Sequence, residues 1–158
     1  MSNTQALCTS FKGELLVGHH NFGTGVVRAA TTADTFKAAL YLASATVNAS
    51  TTAYSSTGEV TGTNYTAGGV AVTNGTSPSS TNTSATAGVA YWTPTASITY
   101  TNVTLSTAFN AVLIYNSSSS DKAVSVHTFG DQTVTAGTFT LTMPSNTTST
   151  ALLRLATT

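Results

Sequence analysis

Apolar residues recur every four residues near the start of this chain and every second residue farther along it. This change of period divides the chain into a short first segment and a longer second region. Leu7, Phe11 and Leu15 recur every four residues, which is typical of one face of an α-helix. Gly18 follows where helices commonly end with a left-handed residue. From Phe36 to Leu42 apolar positions alternate along the chain, as in a half-buried strand. The pattern predicts a short N-terminal helix, which must dock on the β body or on another subunit, followed by strands.

Further strands are predicted where the alternation returns or where an apolar run is continuous. The alternation slips in phase between Tyr100 and Val103, which indicates a β-bulge near Thr101 or Asn102, or a crossing to a second sheet. Ala111 to Tyr115 is continuously apolar, as expected of a central strand buried on both faces. The later strands are predicted at 123–129, 139–143 and 152–155, with a solvated hairpin loop at 117–122.

Turn signals between the apolar runs favour an antiparallel fold. They lie at Gly58, Gly62, Gly68-Gly69, Asn74-Gly75, Gly130-Asp131 and Ala136-Gly137. A parallel sheet would need intervening helices, so we predict an all-β chain, an antiparallel β-sandwich or jelly-roll-like barrel with a short N-terminal helix. Residues 1–22 would form a helical arm and 23–158 a single β-sandwich domain, with a flexible loop near 73–88.

Charge is scarce in this sequence. Only 6% of the residues are charged, against about 25% in ordinary domains, whereas Ser and Thr supply about a third. Hydroxyl and amide groups can be buried against a partner without the cost of desolvating ions. No basic stripe is present to neutralise phosphates, so we expect no nucleic-acid partner. The formal net charge of zero favours self-association.

The cysteine content and the start of the chain suggest synthesis and folding in a cytoplasm. Cys8 is the only cysteine, which excludes an intrachain disulfide and any multi-cysteine zinc site. The segment 2–10 is polar, and no apolar run approaches the length of a signal peptide core or a membrane span. We therefore expect no membrane partner.

Candidate catalytic and metal-binding groups are few. His19-His20 has no acid or cysteine within the next ten residues, so a loop pair is favoured over a metal site. His127 alternates with its neighbours in a predicted strand, as a half-buried sheet residue does. No G-x-S-x-G elbow occurs, and Asp121 and Asp131 lie at turn signals where Asp is favoured for backbone reasons. We expect no enzymatic activity, no cofactor and no metal.

Tyr91-Trp92 leaves two interpretations open. The pair contains the only tryptophan and precedes Pro94. It is typical of an interface anchor or a platform for sugar stacking, since Trp and Tyr concentrate in binding hot spots. The alternative is a tryptophan at the rim of the core, at the start of a strand.

Several segments together resemble a known family. They are NTQALCTSFK at 3–12, ELLVG at 14–18, HNF at 20–22, TFKAALY at 35–41, EVTGTNYTAGG at 59–69, AVLIYN at 111–116 and FGDQ at 129–132. These segments resemble small virion proteins of tailed bacteriophages, specifically capsid decoration (cement) proteins. The similarity runs from residue 3 to about 155 and is weakest over 73–96.

The resemblance implies a structural protein of the capsid exterior, made in the host cytoplasm. Such a β-rich subunit binds the major capsid protein on the outside of the mature head, commonly as a homotrimer at local threefold positions, and stabilises the shell. We expect Leu7, Phe11 and Leu15, with Tyr91 and Trp92, to form interface contacts. The alternative is a tail- or head-fibre adhesin that recognises host-surface glycans, with Tyr91, Trp92 and the 73–88 loop at its tip.

Overall fold

The chain folds into antiparallel β-strands over the part that the structure, a computed structural model, describes: residues 16–18, 34–73, 75, 77–81 and 88–156. The strands are β1 (Phe36–Leu42), β2 (Val70–Val72), β3 (Ser79–Ser80), β4 (Val89–Trp92), β5 (Ile98–Asn116), β6 (Lys122–Leu141) and β7 (Leu153–Ala156). They form two sheets, with the orders β2-β1-β5-β6 and β3-β4-β7. The predicted all-β class is confirmed for these residues.

The two sheets belong to two compact units. One unit contains β1, β2, β5 and β6, within residues 32–73 and 96–142. The other contains β3, β4 and β7, within residues 74–95 and 143–158. The sandwich or jelly-roll topology, the arm over 1–22 and the single domain over 23–158 stay predictions. Gly18 has a φ of 75°, the left-handed conformation predicted there, but Leu7, Phe11 and Leu15 lie outside the described residues.

Strand β1 lies between β2 and β5 and is buried on both faces at its centre. The half-buried strand predicted at 36–42 is therefore wrong at its centre, because the segment after β1 covers the second face. Ala38, Ala39 and Leu40 have no exposed surface, and Tyr41 is 1% exposed. The neighbouring part of β5, Ala111 to Tyr115, is buried as well, as its continuous apolar run predicts. The core of this unit is therefore built on both sides of the β1–β5 pair.

One face of this pair is covered by the segment that follows β1. The buried cluster on this face consists of Ala39, Tyr41, Ala111, Leu113 and Tyr115. Half-buried side chains from the 43–58 segment and from β6 pack against it, namely Ala45, Val47, Tyr54, Ala123 and Val126. The segment 43–58 is therefore part of the core of the unit.

The long strand β5 bends, because residues near both of its ends reach Ala38. Ala38 pairs with Ile114 near the end of β5, and its carbonyl oxygen accepts a 2.8 Å hydrogen bond from the hydroxyl of Tyr100 near the start. The register slips between Tyr100 and Val103, where Asn102 has a φ of 53°. The bulge predicted near residues 101–102 is confirmed, and it accompanies the bend.

Strands β5 and β6 form a long ribbon closed by the turn at 117–121, where the hairpin loop is predicted. The turns predicted at Gly130-Asp131 and Ala136-Gly137 are wrong, because both pairs lie inside β6. Register shifts occur along this part of the ribbon, and Ala136 has a φ of 45°. Residues that favour turns here form bulges, which need the same backbone freedom.

In the other unit, β4 is the central strand of a small sheet. It pairs antiparallel with β3 over Ser79–Ser80 and with β7 over Leu153–Ala156. The last strand is thus confirmed, one residue later than predicted. The short β3 lies within the predicted 73–88 loop, whose residues 74, 76 and 82–87 are outside the described part.

Candidate functional site

A buried carboxylate with three hydrogen-bond donors is the most concentrated polar feature of the larger sheet's unit. Glu59 is 6% exposed. The hydroxyl of Tyr54 donates to its Oε2 at 2.6 Å, and the hydroxyl of Tyr65 donates to Oε1 at 2.7 Å. The backbone N–H of Gly68 donates to Oε1 at 2.8 Å. These four residues, called here the Glu59 network, supply the hydrogen bonds that a buried carboxylate requires.

Glu59 reaches this position because its segment runs beside β1. It forms an isolated antiparallel bridge with Tyr41. The N–H of Leu42 donates to the carbonyl of Gly58 at 2.9 Å, and the N–H of Val60 donates to the carbonyl of Leu40 at 3.0 Å. Gly58 has a φ of 79°, which turns the chain into this alignment. The segment thereby supplies hydrogen-bond partners to Leu40 and Leu42 of β1, which β2 does not reach.

Further tyrosines tie the same region to the sheet. The hydroxyl of Tyr115 donates to the carbonyl of Gly68 at 2.8 Å, and that of Tyr41 donates to the carbonyl of Ser55. The hydroxyl of Tyr65 also accepts a 3.0 Å hydrogen bond from the N–H of Leu40. Residues 54–68 are therefore held to β1 and β5 by side-chain hydrogen bonds as well as by packing.

The tyrosine hydroxyls remain protonated donors at neutral pH. Burial, the hydrogen bond to Glu59 and its charge raise the pKa values of Tyr54 and Tyr65 above the usual value of 10. Burial, together with the charges of Asp121 and Glu59, raises the pKa of Tyr115 to about 12. Burial is also the main cause of the raised pKa of Tyr100. A phenol that holds its proton this firmly is suited to a fixed hydrogen bond rather than to proton transfer.

Gly69 directly follows the Glu59 network, and a residue with a Cβ does not fit its position. Its φ is 71°, and a Cβ built on it would lie 1.7 Å from the carbonyl oxygen of Ala38. The preceding Gly68 has a φ of 88° and places its N–H on Glu59. The turn predicted at Gly68-Gly69 is confirmed, and it also brings the backbone into direct contact with β1.

The second polar pair is Ser125 and His127 on β6. Ser125 Oγ lies 2.9 Å from His127 Nε2. Burial lowers the pKa of His127, so its imidazole is neutral at pH 7. A serine nucleophile also requires an acid that orients the histidine. Asp131, the next acid along β6, instead accepts a 3.0 Å hydrogen bond from Asn110. The pair fits the half-buried sheet position predicted for His127.

Aromatic side chains line the bend of the ribbon. Phe109 is fully buried and contacts Phe139 and Phe129 edge-on, with ring centroids 5.0 and 6.0 Å apart. Tyr100 joins the group through Phe139 at 6.1 Å. Phe129 and Phe139 are half-buried. These contacts hold the two arms of the bent ribbon together.

The outward side of the same ribbon is covered by hydroxyls. All four threonines of this side are exposed, namely Thr99, Thr101, Thr138 and Thr140. Each of them except Thr101, which is followed by the exposed Asn102, alternates with buried or half-buried residues. The hydroxyls of Thr99 and Thr140 lie 3.5 Å apart across the strand pair. We call these four residues the threonine face.

The predicted site residues are not brought together in the described part of the chain. Leu7, Phe11 and Leu15 lie outside it, as do His19 and His20. Tyr91 is half-buried and pairs with Ser79 and Arg154. Trp92 is 6% exposed. It is the last residue of β4, whereas the alternative interpretation placed it at the start of a strand. The interface roles of all five stay predictions.

Sequence patterns alone did not single out the Glu59 network. Its one local signal is Glu59, an acidic residue directly before the apolar Val60 in a chain with few acids. The hydrogen-bond partners come from separate turns, so the spacing along the chain does not indicate the cluster.

Within the described residues, no group of three or more His, Cys, Asp or Glu side chains is placed to hold a metal ion. In that same part of the chain, no helix has the length and apolarity needed to cross a membrane. No protein-family model, curated protein or solved structure matches the chain.

Proposed function

We propose that this chain is a bacteriophage capsid decoration protein that binds the outer surface of the mature head and stabilises the shell. The proposal includes the major capsid protein as partner and assembly of the chain into a homo-oligomer, a trimer at local threefold positions. The resemblance of segments 3–12, 35–41 and 59–69 to such proteins supports it. The structural observation that carries it is the almost uncharged β5–β6 ribbon of the larger sheet.

The ribbon lacks charge over most of its length. Strand β5 has no Asp, Glu, Lys or Arg, and β6 has only Lys122 and Asp131. Burying an unpaired ion in an interface costs about several kcal/mol, because the ion loses its hydration. Burying a hydroxyl that finds a partner costs far less. A surface of this kind suits a permanent contact with another neutral protein surface.

The threonine face is also preorganised. The β-branched side chains have restricted χ1 rotamers on a strand, so they lose little entropy when a partner covers them. The backbone behind them is fixed, because Tyr100 is hydrogen-bonded to Ala38 and packed against Phe139. We assign the threonine face as a capsid-contacting surface.

The Glu59 network supports the same role, because it fixes the 54–68 segment within the unit of the larger sheet. Three donors on one buried carboxylate define a single arrangement of the 54–68 segment. A protein that reinforces a shell must resist deformation itself. Stabilisation then follows from mass action, because a ligand that binds only the mature lattice favours that state.

Co-sedimentation with mature capsids that lack this protein tests the proposal. We expect the purified chain to pellet with the capsids and to saturate. Pelleting with capsids should change little with salt concentration, since an uncharged interface is not screened. Absence of binding to capsids, together with binding to host cells or their polysaccharide, would contradict the proposal and favour the adhesin.

Substitutions test the assigned surface separately. Thr140→Lys places a charge on the threonine face, and we expect at least about tenfold weaker capsid binding, or about 1.4 kcal/mol. Thr57→Lys is the matched control, because Thr57 is exposed, lies in the turn before Gly58 and belongs to neither β5 nor β6. Circular dichroism should show both variants folded. Equal binding by both variants would remove the threonine face from the contact and leave the decoration role intact.

The N-terminal residues are tested by truncation. We propose that Leu7, Phe11 and Leu15 face a subunit boundary or the capsid protein. Removal of residues 1–18 should abolish capsid binding and leave the β body folded by circular dichroism. Unchanged binding of the truncated chain would refute this role.

A further inference from the structure

We draw no further inference here: the strongest candidate, the outer edge of strand β6 from Ser125 to Phe129, carries nothing because no contact in the described part of the chain shows what covers this edge.

Discussion

Replacing Glu59 with alanine removes the acceptor shared by the three donors of the Glu59 network, and we expect a large loss of stability. The N–H of Gly68 and the hydroxyl of Tyr65 are held in the interior and lose their acceptor outright. Each buried donor left without a partner costs about 1–3 kcal/mol. The hydroxyl of Tyr54 is less deeply buried than that of Tyr65 and can turn to water.

The expected loss is therefore about 2–6 kcal/mol, taken over the two buried donors. Domains of this kind have a total free energy of unfolding of about 5–15 kcal/mol, so the alanine variant should be folded but marginal. Glu59→Gln keeps one oxygen acceptor, for Tyr65 and Gly68, and replaces the oxygen that accepts from Tyr54 with an NH2 donor. We expect this variant to lose about 1–2 kcal/mol, since hydrogen bonds to charged groups are stronger by about that much.

Urea unfolding followed by the near-ultraviolet circular dichroism of the tyrosines measures these losses. Tyr41, Tyr54, Tyr65, Tyr100 and Tyr115 all lie in the unit that contains Glu59. Trp92 is the only tryptophan and lies in the other unit, so its fluorescence follows that unit separately. Asp131→Ala is the control, because Asp131 is exposed and its loss should change stability by less than about 0.5 kcal/mol. A Glu59→Ala variant no less stable than this control would refute the structural role of the network.

Three further predictions concern the same unit. Gly69→Ala should cost more than about 3 kcal/mol in thermal unfolding, because of its φ of 71° and the carbonyl oxygen at 1.7 Å, whereas Gly130→Ala meets nothing within 4 Å and should change stability by less than about 0.5 kcal/mol. Equal effects of the two would contradict the close approach. The pKa of Tyr115 is raised from 10.0 to about 12 in the folded chain. Its contribution to stability is thus complete below pH 10 and is lost as the pH rises toward 12, by at most about 1.4 kcal/mol per pH unit. Urea titrations across this range should show the decline, and a flat profile would rule it out. Tyr65→Phe removes one donor to Glu59 and should lower the free energy of unfolding by about 1–3 kcal/mol, again measured in urea.

The strands were predictable because burial imposes a local pattern on them. The continuous apolar run from Ala111 to Tyr115 correctly reports a stretch of strand covered on both faces. The alternation from Phe36 to Leu42 correctly indicates a strand but only one covered face, and it misses the burial of the other face. The phase slip before Val103 indicated a bulge near Thr101 or Asn102, or a crossing to a second sheet, since one extra residue inverts the side-chain order. The register shift and the φ of Asn102 show that it is the bulge. These features depend only on neighbouring residues, so the sequence displays them directly.

The Glu59 network was not predictable in the same way, because its contacts join distant parts of the chain. Tyr115 and Gly68 are 47 residues apart. The glycine pair at 68–69 indicates a turn, but the approach of Gly69 to Ala38 depends on where β1 lies. Likewise, Gly130 and Ala136 have the composition of turns and are bulges, because continued pairing with β5 outweighs the local preference.

The copy number bound per mature capsid at saturation tests the central claim most directly. Purified chain is added in excess to mature capsids that lack it, unbound protein is removed by sedimentation, and the bound copies are counted against the major capsid protein. We predict a ratio that matches occupancy of the local threefold positions. A few copies per particle, as expected for a single vertex or a tail, or none at all, would contradict the decoration role.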